Sequence, residues 1–288
     1  MREPVLVALM HLFALAESLH LKAFSAKGRT IAASFLRNIS RSEEFIKLYD
    51  DYLDFYEREL KENESPGLQE LMVKRLGKKL CRELMLPERL VVLIRLTESF
   101  LQDGQLSTSE LSFLESIANE FNITIADTKA LLDFAQGLTA EWKDRSSLLV
   151  IESPETESSD ELEGAWIEQN KPISGIRDKV ITREGLVGKI EILHLSDARV
   201  ILFKYSGSSE LFINQQKAEP GLLYLLTDGC IIRGNNVSPV YFSEIIGRFY
   251  QADKPKIILQ GKDISFSFGQ KGTGIAPFSF CEESGHLV

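Results

Sequence analysis

The apolar pattern changes period once along the chain, and that change constrains the fold more than any other feature. Up to about residue 145, apolar side chains recur at three- and four-residue spacing. Past Trp166 they alternate, or run in short blocks between turn residues. Between the two lies residues 151–163 (IESPETESSDELE), with six acidic residues and no basic one, which is a linker composition. A chain of 288 residues suits two domains. The pattern therefore predicts an α+β multidomain protein, an all-α N-terminal domain followed by an all-β one. The boundaries are a helical domain over 1–147, an acidic linker over 148–168, a β domain over 169–250 and a trailing β segment over 251–288.

Within the first part, residues 5–19 (VLVALMHLFALAESL) are apolar almost all round, as a helix at the centre of a bundle would be. Residues 27–38 carry Ile31, Phe35 and Leu36 at helical spacing. Residues 42–62 place Phe45, Leu48, Tyr49, Tyr52, Leu53 and Tyr56 on one stripe, with Ser42 as N-cap. The run 63–67 (NESPG) breaks that helix. Four more are predicted, over 68–84, 87–102 (opening on Pro87), 107–120 and 124–142. Strands are predicted over 189–195, 199–205, 210–213, 222–226 and 230–232, with turn residues between them. Short strands broken in this way suggest a small sandwich or barrel. Residues 239–250 form a second junction. Strand-like stretches follow over 256–259, 263–268, 278–280 and 286–288. The final apolar residues have no later partner elements, so the expectation is either edge pairing or a domain cut short.

Several function classes are disfavoured. The net charge of -9 argues against a nucleic-acid binder, whose affinity comes from clustered Lys and Arg. Cys81, Cys230 and Cys281 are far apart and fit a reducing compartment. The nearest candidate for a membrane span, residues 5–21, contains His11, Glu17, Ser18 and His20 and reads as a buried helix. The expected location is cytoplasmic. No G-x-S-x-G, H-E-x-x-H or Rossmann glycine motif occurs, and the four histidines (His11, His20, His194, His286) are scattered.

The most specific local motif is Asp103-Gly104-Gln105-Leu106-Ser107-Thr108-Ser109-Glu110 between two apolar helices. One reading is structural: Gly104 permits a turn, Ser107 caps the next helix and Glu110 closes a capping box. The other places Asp103 and Glu110 around a divalent cation, since oxygen ligands suit calcium or magnesium. The stretch is too short and too poor in carboxylates for an EF-hand loop. A worn copy of the unit lies at the N-terminus, where Glu17-Ser18 parallels Glu98-Ser99 and Phe24-Ser25 parallels Leu106-Ser107. Together, and chiefly through Leu93 to Thr124 (LIRLTESFLQDGQLSTSELSFLESIANEFNIT), residues 1–145 resemble the TerB-like helical domain of tellurite-resistance and DjlA-type proteins. That resemblance implies an interaction or sensing module, with divalent metal bound in some members. Here the first repeat lacks the matching acids.

The segment from Ser196 to Gly234 resembles the second half of a forkhead-associated (FHA) domain, through Leu211-Phe212-Ile213-Asn214, Pro220-Gly221 and Asp228-Gly229-Cys230-Ile231. Phosphopeptide readers of that family need a serine–histidine pair and an arginine. The candidate stretch here, Ser196-Asp197-Ala198-Arg199, has no histidine, so a scaffold role is expected. Residues 257–259, 263–268 and 277–288 resemble the opening strands of an ATP-binding-cassette (ABC) ATPase. The resemblance makes Phe268 the aromatic that stacks on adenine in the complete protein. No G-x-x-x-x-G-K-[ST] loop occurs in this chain, and no Walker-B acid or signature loop, so the chain as given is expected not to be an enzyme.

The expectation is therefore the regulatory N-terminus of a cytoplasmic ABC transporter ATP-binding protein, peripheral at the inner face of the membrane. ATP would enter only in the complete protein. The implied partners are a membrane permease subunit or domain, and proteins bound through the helical domain. Neither nucleic acid nor a direct membrane span is expected. The alternative is a free-standing TerB-like stress protein that senses divalent metal and carries a β adaptor domain.

Overall fold

The computed structural model describes residues 3–19, 26–39, 43–62, 66–102, 104–154, 179–250, 258–268 and 273–283. Its first part is a bundle of seven helices: α1 (Glu3–Leu19), α2 (Ala26–Ile39), α3 (Glu43–Glu62), α4 (Pro66–Glu83), α5 (Leu86–Leu101), α6 (Thr108–Glu120) and α7 (Ile125–Gln136). The all-round apolar helix is central, as its sequence predicts. Leu9, Leu12, Phe13 and Leu15 of α1 are fully buried, and α1 packs against α2, α3 and α4. Its one carboxylate in the core, Glu17, accepts the Tyr49 hydroxyl of α3 at 3.0 Å. His11 is half-buried in an aromatic cluster, 2.9 Å from the Tyr56 hydroxyl and stacked on Tyr52, which is a packing role. α5 is the second inner helix, packed on α2, α6 and α7.

The last predicted helix is interrupted. Gly137, at φ 78, takes the left-handed conformation that ends α7, and a 3-10 turn (Leu138–Glu141) follows. A bigger difference comes next. Leu148–Glu152, expected within the linker, is β1, an interior strand of the main sheet. The apolar run Leu148 to Ile151 directly abuts the acidic one, and composition averaged across the join hid it.

The main sheet also contains β2 (Lys179–Thr182), β3 (Gly188–Leu195), β4 (Val200–Gly207) and, beyond a smaller sheet's first strands, β7 (Leu223–Leu226). Its order is β2-β1-β3-β4-β7, with β1 parallel to β2 and the other pairs antiparallel. The smaller sheet joins β5 (Leu211–Ile213), β6 (Gln216–Ala218), β8 (Ile231–Gly234) and β9 (Val240–Tyr241) in the order β6-β5-β8-β9. Among the described residues of this part neither of the two sheets closes into a barrel. The chain is thus of the α+β class.

Side chains alternate across the main sheet, and both faces are buried. Leu148, Leu193, Leu195, Val200, Leu202 and Leu223 belong to the same hydrophobic core as the helices. Leu149, Ile151, Ile190, Ile192, Phe203 and Tyr205, one position out of phase, are buried on the other face. A sheet covered on both sides reads as continuous apolar runs, hence LLVI and VILF in β1 and β4. The helical and β parts accordingly form one compact unit, Met1–Ile245.

Residues 239–250, expected as a junction, hold β9 and then α8 (Phe242–Tyr250), which buries Ile245. Arg183, just after β2, pairs with Glu244 of α8. A second unit, Ile246–Val288, contains β10 (Ile258–Phe268) and β11 (Thr273–Glu283), an antiparallel pair with register shifts near Ile264. The described residues of the two strands expected over 256–259 and 263–268 lie in one continuous strand, 256–257 falling outside the described residues, and 278–280 lies inside β11. The expected strand at 286–288 falls outside the described residues. Among the described residues no helix is long and apolar enough to cross a membrane.

The β5–β6 turn tests the local chemistry. Asn214 and Gln215 both have positive φ, 47° and 75°. Asn214 suits this conformation, and its side chain accepts Ile231 N–H of β8 at 3.0 Å. Gln215 occupies a position that favours glycine in such hairpins. The substitution Gln215→Gly is expected to raise stability by about 1 kcal/mol, read as a higher urea midpoint at unchanged slope. An unchanged or lower midpoint would refute this assignment of strain.

Candidate functional site

The Asp103–Glu110 motif folds as a cap. Gly104, at φ 123, makes the turn and donates its N–H to Leu101. Ser107 is the N-cap of α6. Its hydroxyl accepts Glu110 N–H, and the Glu110 carboxylate accepts Ser107 N–H at 2.7 Å. Glu110 is buried in this role. Asp103 lies outside the described residues. Among the described residues, no three His, Cys, Asp or Glu side chains cluster so as to hold a metal ion. Phe268 is the last residue of β10 and stands opposite Thr273 in the strand register. Glu110 lies in the first unit and Phe268 in the second.

The polar groups that the fold does concentrate lie at the junction of the helices with the main sheet. Glu98 of α5, only 3% exposed, sits among the buried residues Leu96, Thr97, Ser99 and Phe100. One carboxylate oxygen accepts Leu223 N–H of β7 at 2.6 Å. The other pairs with Arg95, one turn earlier, at 2.5 Å. Burial pushes the Glu98 carboxyl above the usual range, against the pull of Arg95, the Leu223 amide and Lys204. The Arg95 guanidinium also lies 5.8 Å from the centre of the Tyr224 ring.

The second contact gathers around α7. Thr124, its N-cap, accepts Asp127 N–H and donates its hydroxyl to Asp197 at 2.8 Å. Asp127 in turn accepts Ala198 N–H at 2.7 Å. Burial raises the Asp127 carboxyl, opposed by the Ala198 and Asp197 amides and reinforced by the Asp197 charge. At the other end of α7, Lys204 of β4 donates to the carbonyls of Ala135 (2.8 Å) and Phe134 (3.3 Å), where a cation suits the helix terminus. The β3–β4 loop Ser196-Asp197-Ala198-Arg199 is therefore a docking element within the chain. It is the same stretch considered from sequence as a phosphopeptide loop, and its Arg199 adopts φ 54.

Sequence reasoning used Glu98 as a mark of internal duplication and did not assign it a contact. The available signal was a carboxylate in a helix whose neighbours Leu96, Thr97, Ser99 and Phe100 are all buried. Asp127 gave a weaker signal, because an acid three residues after a threonine cap is ordinary helix chemistry. No protein-family model, curated protein or solved structure matches the chain.

Two measurements follow from these positions. Glu98→Ala leaves Leu223 N–H and Arg95 without their acceptor and is expected to cost about 3 kcal/mol of stability. A loss below that of an ordinary surface substitution would show that the contact is dispensable. Calorimetric titration with calcium or magnesium tests the cation reading of Asp103 and Glu110. Heat abolished by Asp103→Ala would establish it, and no heat at millimolar metal would leave Glu110 as a cap alone.

Proposed function

We propose that this chain is the N-terminal regulatory and docking region of a cytoplasmic ABC-type ATPase subunit of a transporter. In this reading the helical bundle is a TerB-like module for protein partners, and the β domain an FHA-like scaffold. The second unit supplies the opening strands of the nucleotide-binding domain. Phe268 would then form the adenine platform, with ATP held by the complete protein and a membrane permease as its partner.

The observation that carries the reading is the order of segments. A helical module and a β module share one core, and a separate compact unit with a long antiparallel strand pair follows them. The strand pair falls where the ATPase resemblance calls for opening strands. Asp197 and Ala198 of the β3–β4 loop are engaged by α7, which supports scaffolding over phosphopeptide reading for the β domain. Within this chain there is no phosphate-binding loop, so its own residues supply positioning and contact.

The test is the reading frame beyond Val288 in the source gene. A G-x-x-x-x-G-K-[ST] loop is expected immediately downstream, with an aspartate-ended apolar strand further on. A stop codon, or a continuation without that loop, would overturn the proposal.

A further inference from the structure

Helix α4 gathers five cations, Lys74, Arg75, Lys78, Lys79 and Arg82, and all five are exposed. At 3.6 residues per turn they fall within an arc of about 140°. Leu71, 64% exposed, lies in the middle of that arc. Val73 and Leu80, on the opposite side of the helix, are buried in the core. Gly77 fixes this orientation by seating α4 closely on α6. A β-carbon at Gly77 would lie 2.6 Å from the Glu120 β-carbon. We infer that the outer face of α4 docks on a bilayer surface that contains anionic phospholipid. The inference goes beyond the proposed function and rests on α4 alone, so it does not depend on the ATPase reading.

The first step is electrostatic. Among the described residues none of the five cations forms a salt bridge. The two acids of the helix, Glu70 and Glu83, lie outside the arc, one on each border. Arg75 and Lys79 face Tyr56 of α3 and His11 of α1, which carry no negative charge at neutral pH. Like charges at three- and four-residue spacing repel one another along a helix. An anionic surface laid against the arc relieves that repulsion. The chain as a whole has a net charge of -9, so an anionic surface repels the rest of it and selects this face.

The second step decides the kind of anion. From Lys74 to Arg82 the row runs about 12 Å along the helix, too long for one phosphate group and suited to several headgroups. A nucleic-acid strand would be gripped by aromatic stacking as well as charge, and the arc holds no aromatic residue. It holds Leu71 instead, and Met85, 76% exposed, follows directly after the helix. Exposed apolar side chains gain little from a phosphate backbone but enter the boundary between headgroups and acyl chains. Lysine and arginine stems lie along the same boundary while their charged ends reach the phosphates. Clustered cations with an apolar residue among them on one helix face are the composition of an interfacial helix.

Co-sedimentation of the full chain with vesicles tests this docking. At about 0.1 M salt the chain is expected to bind vesicles of phosphatidylglycerol and phosphatidylcholine in equal parts, and not vesicles of phosphatidylcholine alone. The combined Lys74→Gln, Lys78→Gln, Arg82→Gln variant is expected to bind about a hundredfold more weakly, at about fivefold for each cation. Its circular dichroism should match that of the unsubstituted chain, since all three side chains are exposed. Leu71→Gln is expected to weaken binding by about tenfold. No binding to the phosphatidylglycerol vesicles, or equal binding by the triple variant, would overturn the inference. So would a short DNA duplex that binds as tightly as the vesicles while Leu71→Gln has no effect, which would mark a site for polyanions in general. If the triple variant does not fold, the comparison of the two vesicle compositions and Leu71→Gln decide. Failure here leaves the reading-frame test of the ATPase proposal untouched.

Discussion

The contact between the Glu98 carboxylate and the Leu223 amide fixes how the two halves of the main unit meet. A buried carboxylate costs several kcal/mol in lost hydration and persists only where partners replace the water. Arg95 supplies one partner and the edge strand β7 the other. The same contact answers a problem of the sheet. An edge strand presents unpaired backbone groups, and β7 has an α5 carboxylate to receive one of them. From this point the antiparallel register carries the constraint inward. Leu223 stands opposite Lys204, and Lys204 reaches the last carbonyls of α7.

α7 is in consequence held at both ends by the β domain. Its N-terminal turn meets the β3–β4 loop through Thr124 and Asp127, and its C-terminal carbonyls meet Lys204. These polar contacts surround an apolar seam in which Leu193, Leu195, Leu202 and Leu223 join the helical core. The seam supplies the larger share of the attraction, since burial of apolar area is non-directional. The charged contacts set the register, because an amide and a carboxylate misplaced by one strand position would leave both unsatisfied. Together they explain why two segments of opposite period behave as one compact unit.

Much of this architecture was legible in the residues. The helical periodicity located seven helices, and the turn residues located β3, β4, β5, β7 and β8. The Ser107–Glu110 spacing gave the capping box that the fold contains. The short strands β2, β6 and β9, of two to four residues, gave no alternation to read, and three larger features were hidden, each for a physical reason. β1 was read as linker because Leu148 to Ile151 is a short apolar run beside an acidic one, and such a run has no period of its own. α8 was read as a junction because nine residues are too few for helical periodicity to stand out. The joining of the two domains was hidden because it depends on contacts 125 and 71 residues apart, between Glu98 and Leu223 and between Asp127 and Ala198. Local pattern carries no information about such pairs.

The β3–β4 loop shows how this junction bears on what the β domain can do. In a reader of phosphorylated peptides, loops at one end of the sandwich must stay open to the ligand. Here Asp197 and Ala198 are bound to the first turn of α7, and Arg199 is held in a left-handed conformation beside them. A ligand at this loop would have to displace the Thr124 and Asp127 contacts, each costing about 1–3 kcal/mol to break and leave unsatisfied. A ligand that needs the Asp197 carboxylate or the Ala198 amide therefore competes with docking of α7, whereas Ser196 and Arg199 of the same loop stay exposed.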